Sequence, residues 1–389
     1  MHRGPTGRYE VTVTGGERVN AFVPLPLPPS PGLALDGPLR SGLEAAAISL
    51  GRLDGMSTLL SDRTLFMYVY IRKEAVLSSQ IEGTQSSLSD LLLYEVDEVP
   101  GVPVHDVMEA SNYVEAMEHG RLRLVGDFPF SNRLIREIHG VLLARGRGSH
   151  KDPGEFRRSQ NWIGGTRPGN AAFVPPPHTA VQRCMGDLER FLHARNDGLP
   201  TLIRIGLAHA QFETIHPFLD GNGRVGRLLI TLLLIHAGVL QEPLLYLSLY
   251  LKQHRSTYYE LLDRVRETGD WEAWLEFFLE GVHVTATGAA NTTRRLLELF
   301  ANDRNAIEKL GRRAGSALRV YAALRERPIL SITEASERAN LSFSATSSAM
   351  DLLVDQRIVG EVTGRRRGRL FAYRRYVAIL NEGTELDES

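Results

Sequence analysis

Apolar residues recur at helical spacing along most of the chain, and this periodicity predicts a mainly α fold. The predicted helices cover residues 39–53, 59–77, 107–117, 132–143, 202–215, 225–235 and 286–310. A further helix is predicted where Trp271 and Trp274 pack with apolar neighbours. Residues 1–32 instead predict a peripheral strand followed by a proline-rich extended segment, which we expect to lie as a strap across the surface rather than to dock a partner.

Residues 156–177 break the helical pattern. Aromatic and β-branched residues there flank Gly164, Gly165, Pro168 and Gly169, a distribution typical of a β-hairpin with a loose tip. On these residues alone the segment is predicted to be a surface hairpin.

Residues 316–376 predict a winged helix-turn-helix domain with helices near 318–324, 332–339 and 344–354 and an alternating hairpin at 358–373. This region holds eleven Arg and six Asp or Glu, a net charge of +5, and an arginine-rich hairpin tip at 364–368. The third helix is rich in Ser and Thr and has no Arg or Lys, so its side chains favour phosphate or weak base-edge contacts. DNA binding and a role in protein contacts or dimerisation remain alternatives.

Composition narrows the classes of protein that fit. The chain has 389 residues, 43% hydrophobic and 23% charged, as in soluble globular proteins of two or three domains. A formal net charge of −1 gives no overall attraction to nucleic acid or membrane. The single cysteine, Cys184, excludes an intrachain disulfide. With no apolar run of signal-peptide or membrane-spanning length, the protein is predicted to be cytoplasmic without membrane contact.

The strongest chemical signal is the loop 216–227, HPFLDGNGRVGR, which joins two predicted apolar helices. Gly221 and Gly223 allow backbone conformations in which the N–H groups around Asn222 converge on an anion at the positive end of the second helix. Arg224 and Arg227 lie one turn apart and are expected to hold a phosphate chain.

Two further residues of the loop complete a predicted active site. Asp220 is placed to bind a Mg²⁺ that bridges two phosphates, and His216 is then the general base. A histidine before proline, a Gly-Asn-Gly turn and a pair of arginines each have an ordinary structural explanation. Their combination in fixed order between two apolar helices does not, so a catalytic loop is predicted.

This loop resembles the motif of the Fic family, HPFx[DE]GNGRxxR, which it matches completely. The resemblance implies a Fic-type helical core that transfers AMP from ATP to a hydroxyl side chain of a target protein, or of itself, with Mg²⁺. It implies that His216 deprotonates the hydroxyl, that Asp220 binds the metal and that Gly221, Asn222 and Gly223 form the anion hole. Arg224 and Arg227 are then expected to hold the β- and γ-phosphates.

A second motif lies at the end of the predicted helix 59–77. Alone, the sequence from Ser78 to Gly83 would be a helix terminus with a solvated carboxylate. Beside the loop it resembles the inhibitory motif [ST]xxxE[GN] of those Fic proteins that carry their own inhibitory helix. The resemblance implies that Glu82 pairs with Arg227 and so removes the guanidinium that should bind the γ-phosphate.

The resemblance extends to two less specific segments. It implies that the hairpin around Ile163, Gly164 and Gly165 is a flap that pins the target segment by β-strand addition. It also implies that Tyr258 and Tyr259 contact the nucleoside, whereas on helical spacing alone they are core and boundary residues. Because regulated Fic proteins often dimerise, a homodimer is expected.

The predicted domain organisation follows from these assignments. Residues 1–100 form an N-terminal region with the inhibitory helix, 101–285 a Fic core, 286–315 a linker helix, 316–376 the winged helix-turn-helix domain and 377–389 a tail. The predicted function is a self-inhibited protein adenylyltransferase, with AMP removal at the same site left open. The alternative is a DNA-binding transcriptional regulator that senses nucleotide, which the intact His216 argues against because sensing needs no base.

Overall fold

The computed structural model describes residues 3–59, 63–97, 102–126, 128–194, 198–365 and 367–384. Its strands are β1 (Gly7–Thr14), β2 (Glu17–Pro24), β3 (Ile329–Ser331), β4 (Gly360–Glu361) and β5 (Leu370–Ala372). Its helices are α1 (Gly37–Leu59), α2 (Arg63–Ile81), α3 (Leu88–Asp97), α4 (Val104–Val125), α5 (Asn132–Leu142), α6 (His178–His193), α7 (Thr201–Ile215), α8 (Asn222–His236), α9 (Ser248–Gln253), α10 (Arg255–Thr268), α11 (Trp271–Glu308), α12 (Ala314–Glu326), α13 (Ile332–Ala339), α14 (Phe343–Asp355) and α15 (Arg374–Asn381). The predicted mainly α class is confirmed.

The helix pair α7 and α8 lies at the centre of the core. Every residue of α7 except Thr201 and Arg204 is buried, and α8 is buried from Arg224 to Leu234. Helices that are apolar all round need neighbours on every side, and α2, α4, α5, α6, α10 and α11 supply them. The loop between α7 and α8 is therefore held at both ends by the most buried part of the fold.

Several predicted elements differ from the observed ones. The predicted helix 59–77 is α2, displaced by four residues, so that Ser78 to Ile81 form its last turn. The tryptophan helix and the predicted linker helix 286–310 are one continuous helix, α11, because Gly281 and Gly288 lie inside it without interrupting the apolar stripe that packs on α1. Helix α3, which starts at a Ser87 turn bonded to Asp90, was not predicted.

The N-terminal prediction of one strand was incomplete. Strands β1 and β2 form an antiparallel hairpin that pairs Gly7 with Pro24 and Thr14 with Glu17. The proline-rich segment follows as a strap over the core, where Gln211 donates to the Leu25 carbonyl and Glu272 accepts from Ala34.

The segment 156–177 contains one antiparallel bridge, between Ile163 and Phe173, and a 3₁₀ turn at Pro168–Asn170. It folds back as predicted, but without a continuous hairpin ladder. Side-chain hydrogen bonds also hold the segment, since Arg157, Gln160 and Asn161 donate to the carbonyls of Pro176, Pro175 and Phe218.

The C-terminal unit, α12 to α15 with the sheet order β3-β5-β4, contains the three predicted helices and the two strands of the predicted hairpin. Strand β3 and helix α15 were not predicted. Arg366 of the arginine-rich tip and residues 385–389 of the predicted tail lie outside the described residues. Within the described part of the chain, no helix combines the length and apolar character that crossing a bilayer requires.

Candidate active site

The turn between α7 and α8 begins at His216, which caps α7 in the left-handed region with φ 49°. A residue with a Cβ adopts this conformation only where the surrounding structure imposes it, and such strain concentrates at functional sites. Gly221, at φ 72°, ends the turn and opens α8. The side chain of Asn222 closes the turn, since it accepts from the Phe218 amide at 2.8 Å and donates to the Phe218 carbonyl at 2.9 Å.

Phe218 is fully buried and stacks on His139 with ring centroids 3.7 Å apart. The tautomer of His139 follows from its partners. Its Nδ1 accepts from the Gly154 amide at 2.9 Å, so its Nε2 carries the proton and donates to the Asp220 carbonyl at 3.1 Å. Burial lowers the pKa of His139 to about 4, so the ring is neutral at physiological pH and makes both of these hydrogen bonds.

Arg157 fixes the start of the turn from the other side. It is buried, and its Nε donates to the His216 carbonyl at 2.9 Å while its backbone amide donates to the Pro217 carbonyl at 2.9 Å. Its Nη2 reaches the Pro176 carbonyl at 2.6 Å and thereby ties the turn to the segment 156–177. The sequence argument missed Arg157 and His139, because neither lies near the motif along the chain.

The Glu82 carboxylate bridges the two motif arginines. Its Oε2 lies 3.0 Å from Arg224 Nε, and its Oε1 lies 2.9 Å from Arg227 Nη2. Both guanidinium groups are almost fully buried. Burial would raise the pKa of Glu82, but Arg224 and Arg227 outweigh it and hold that pKa below its ordinary value, so the carboxylate is ionised at neutral pH.

The same carboxylate lies in front of the first turn of α8. The first N–H groups of a helix have no partner within it, so the start of a helix attracts negative charge. A Cβ on Gly223 would stand 2.5 Å from Glu82 Oε1. The Glu82 carboxylate therefore lies against the backbone of this turn, next to the predicted anion site.

Ser78, one turn before Glu82, also contacts Arg227. The arginine donates through Nε to Ser78 Oγ at 2.8 Å and through Nη2 to the Ser78 carbonyl at 2.9 Å. Gly83 follows at φ 100°, which lets the chain turn away immediately after Glu82. The structure thus brings Ser78 and Glu82 together with Arg227, and the pairing of Glu82 with Arg227 is the one that the resemblance implies.

Glu109 is a third acidic partner that the sequence argument missed. It is buried on α4, and its Oε2 lies 2.9 Å from Arg224 Nη1, while Arg147 Nε approaches Oε1 at 3.0 Å. Burial raises its pKa, against the attraction of Arg224 and Arg147. A signal was present in the sequence, since Glu109 stands within the apolar stripe of Val107, Ala110 and Tyr113, where a charge requires a buried partner.

The imidazole of His216 is half-buried beside these groups. Burial lowers its pKa to about 4, with the charge of Arg157 acting in the same direction, and the Glu213 backbone and Glu82 only partly compensate. The ring is neutral at pH 7 and is able to accept a proton.

Asp220 presents a carboxylate that is about one-third exposed, with a side-chain accessibility of 32%. Its Oδ1 accepts from the Gly221 amide at 2.6 Å. Among the described residues no group of three or more His, Cys, Asp or Glu is arranged to hold a metal. Mg²⁺ commonly takes one or two protein carboxylates and completes its shell with phosphates and water, so the donor set fits Mg²⁺ brought with a polyphosphate.

Burial lowers the pKa of the Arg227 guanidinium, but Glu82, and after it Tyr258 and Tyr259, raise that pKa above its ordinary value. Tyr258 is buried, and its hydroxyl lies 2.9 Å from Nε2 of His209. Tyr259 is 39% exposed. Ile163, Gly164 and Gly165 lie at the bridge of the segment 156–177, where Gly165 has no room for a Cβ against the Asn170 carbonyl.

Comparisons with known proteins match two parts of the chain. The family model described as Fic/DOC family N-terminal covers residues 41–121, and the one described as Fic/DOC family covers residues 129–234. A protein adenylyltransferase Fic from Culex quinquefasciatus is 32% identical over 227 residues, 57% of this chain and 39% of that protein. One of the same name from Drosophila melanogaster is 32% identical over 226 residues, 57% of this chain and 40% of that protein.

The chain therefore spans about two fifths of the length of these relatives. Among solved structures, a Fic family protein from Desulfovibrio desulfuricans G20 superimposes with a TM-score of 0.54 at 18% identity, over 87% of this chain and 97% of that one. At this identity the likeness shows the fold.

Proposed function

We propose, on the premise that the chain belongs to the Fic/DOC family through residues 41–121 and 129–234, that it transfers AMP from ATP to a Ser, Thr or Tyr hydroxyl of a target protein. We further propose that the arrangement described above is its inhibited state. The observation that carries this proposal is the position of the Glu82 carboxylate, paired with Arg224 and Arg227 over the first turn of α8. The names of the relatives lend no support to the alternative of a transcriptional regulator.

In the proposed reaction the target hydroxyl oxygen attacks the α-phosphorus of ATP. A bond forms between that oxygen and phosphorus, the bond from the α-phosphorus to the oxygen that leads to the β-phosphate breaks, and pyrophosphate leaves. His216, neutral before the reaction, takes the proton of the hydroxyl. The first-turn amides of α8 and the two arginines bind the phosphates in the orientation that this displacement needs.

In the proposed inhibited state, Glu82 prevents that orientation of the phosphates. One carboxylate oxygen accepts a hydrogen bond from Arg227 Nη2, and the other is ion-paired with Arg224, so both guanidinium groups proposed to bind the β- and γ-phosphates are already engaged. We propose that ATP gains its reactive orientation only when Glu82 leaves. The charge-assisted hydrogen bond from Arg227 to Glu82 contributes about 1.5–3 kcal/mol, so freeing this one donor for the phosphates should raise the rate by roughly ten- to a hundredfold.

Asp220 is the residue proposed to hold Mg²⁺. When bound, this ion would neutralise charge on the phosphates and on the leaving pyrophosphate. Self-modification, removal of AMP by the same site, nucleoside contact by Tyr258 and Tyr259 and target capture by the segment at Ile163 belong to the same proposal. A cytoplasmic location, a homodimer and DNA contact through the C-terminal unit stay predictions.

The test is transfer of label from α-³²P-ATP to protein by the full chain. We expect weak labelling by the unaltered protein, stronger labelling by Glu82→Gly and none by His216→Ala or by the double variant. His119→Ala is the matched control, because His119 is a half-exposed histidine paired with Glu137 away from the loop. Equal labelling by Glu82→Gly and by Glu82→Gly with His216→Ala would refute the role of His216 as the base.

A further inference from the structure

Helix α2, which positions Glu82, has two polar faces. Glu74, Ser78 and Glu82 recur at intervals of four residues and face α8 and the Ser248 end of α9. Lys73 and Gln80 recur at an interval of seven and lie about 150° around the helix from the first set. Both Lys73 and Gln80 are buried, so this second face is covered as well.

The segment Asn381–Thr384 covers this second face of α2. It begins at the last residue of α15, and we call it the tail segment. Gln80 Nε2 donates to the Thr384 carbonyl at 3.0 Å and to the Ser86 carbonyl at 2.9 Å. Lys73 Nζ donates to the Glu382 carbonyl at 2.6 Å. Thr384 itself is buried. Gln80 lies two residues from both Ser78 and Glu82, so the tail segment contacts the same helical turn that carries the inhibitory pair.

The tail segment is also anchored away from α2. The Glu382 carboxylate pairs with Arg295 of α11 at 2.6 Å. Asn381 Nδ2 donates to Ser89 Oγ of α3 at 2.7 Å, and Gly383 lies against Leu249 of α9. These contacts fix the tail segment to the body of the protein, so it is able to restrain α2 rather than move with it.

We propose that the tail segment is a latch on the inhibitory helix, an inference that rests on the proposed function. For Glu82 to leave Arg224 and Arg227, the last turn of α2 must shift, and Gln80 must then give up its bond to Thr384. A buried amide donor that loses its acceptor costs free energy, so the docked latch favours the inhibited state. Through α15, the latch connects the inhibitory pair to the C-terminal unit, whose displacement would raise activity.

The variant that tests the latch is Gly383→Val, which leaves α2 unaltered. Gly383 has φ 81°, and a Cβ there would lie 2.9 Å from Leu249, so valine should expel the tail segment. The matched control is Gly364→Val, which has the same backbone strain at φ 61° in the C-terminal unit but no atom within 4 Å of its Cβ. Lys73→Met, which removes one latch bond from the α2 side, is the second variant should Gly383→Val not fold.

Two measurements are made on the unaltered protein and on each variant. Each protein is prepared both with Glu82 present and with the additional substitution Glu82→Gly. The first measurement is the rate of AMP transfer. We expect Gly383→Val to raise this rate roughly tenfold, the effect of losing one buried hydrogen bond, and only when Glu82 is present. The second is hydrogen exchange of the amides of Glu82, Gly83 and Thr84, which bond to the carbonyls of Ser79 and Gln80 and should exchange faster in Gly383→Val than in Gly364→Val.

The two measurements separate the latch from the proposed function. If Glu82→Gly transfers no AMP, the proposed function fails, and exchange at residues 82–84 alone decides whether the tail segment holds this turn. Unchanged exchange in Gly383→Val overturns the latch whatever the transfer rates are. A rise in transfer that is equal with and without Glu82 overturns it too, because the tail segment would then act elsewhere.

Discussion

The carboxylate of Glu82 stands directly over the α-carbon of Gly223, where a Cβ would lie 2.5 Å from Oε1 of the carboxylate. The two residues are far apart in sequence and meet because α2 and α8 pack in the core. A helix N-terminus attracts anions, and the absence of a side chain at Gly223 lets an anion approach the backbone closely. Under the proposed function, Glu82 and a nucleotide phosphate would therefore compete for this one small space.

The first prediction concerns that space. In a Glu82→Gly background, Gly223→Ala should weaken ATP binding by roughly tenfold or more, because the methyl group fills the place of a charged hydrogen-bond acceptor. Isothermal titration calorimetry measures the Kd. Gly315→Ala is the matched control, since it adds a methyl group to another helical glycine whose Cβ has nothing within 4 Å. An unchanged Kd would mean that phosphates bind elsewhere.

The second prediction concerns the buried pair of Glu109 and Arg224. Glu109→Ala should lower the free energy of unfolding by about 3 kcal/mol, because it leaves part of a buried guanidinium without its counter-charge. Urea denaturation gives this difference. Glu115→Ala, in the same helix but in an exposed pair with Arg145, should cost less than about 1 kcal/mol. Equal effects of the two substitutions would show that Arg224 does not depend on Glu109.

The third prediction is the pH dependence of AMP transfer. A base must be unprotonated, and burial lowers the pKa of His216 to about 4. Removing Glu82 takes away a charge that raises this pKa, so in Glu82→Gly it should be no higher. In a profile of kcat/KM against pH, protonation of His216 should therefore cause no loss between pH 8 and pH 5. The loss due to this group should begin only towards pH 4. A limb centred near pH 6.5 that persists in other single histidine variants would contradict the burial of this ring.

The fourth prediction concerns Asp220. Asp220→Asn keeps an acceptor for the Gly221 amide but removes the charge, so Tm should change little. AMP transfer should fall by at least roughly a hundredfold at millimolar Mg²⁺, since the metal stabilises the transition state by several kcal/mol. The separate readout is ATP binding, which should lose its dependence on Mg²⁺ concentration. If ATP binding by Asp220→Asn responds to Mg²⁺ as before, the metal has another ligand.

The fifth prediction is a pH effect on stability. Burial raises the pKa of Glu74 to about 7, and that of Glu213 likewise, whereas the ordinary value is 4.5. For an acid whose pKa is raised by folding, the stabilisation is fully present below the unfolded pKa and is lost as pH rises through the folded one. The protein should thus lose stability between pH 5 and pH 8. Glu74→Gln should make Tm less dependent on pH over this range, and an unaltered slope would mean that Glu74 is ionised throughout.

The local patterns of the sequence predicted the helices on either side of the loop and pointed to the loop as the candidate site, whereas α3 and α15 were not predicted. Periodicity predicts α7 and α8 on either side of the turn. The glycines, the acid and the arginines of 216–227 indicate an anion site, because residues of these types can act together when they lie within a few positions of one another. The resemblance of Ser78 to Gly83 to an inhibitory motif added the pairing of Glu82 with Arg227. Helix ends were less predictable, as the displaced bounds of α2 illustrate, since packing overrides local preference there.

Only the tertiary structure decided which distant residues complete the site. Arg157 and His139 hold the turn through backbone carbonyls, Glu109 balances Arg224, and the tail segment reaches α2 from about 300 positions along the chain. No local pattern encodes these partners, because a buried hydrogen bond or ion pair depends on where the folded chain brings two groups together. Burial, which the same packing creates, also lowers the pKa of His216, so that its ring is neutral at pH 7, and raises the pKa of Glu74 to about 7.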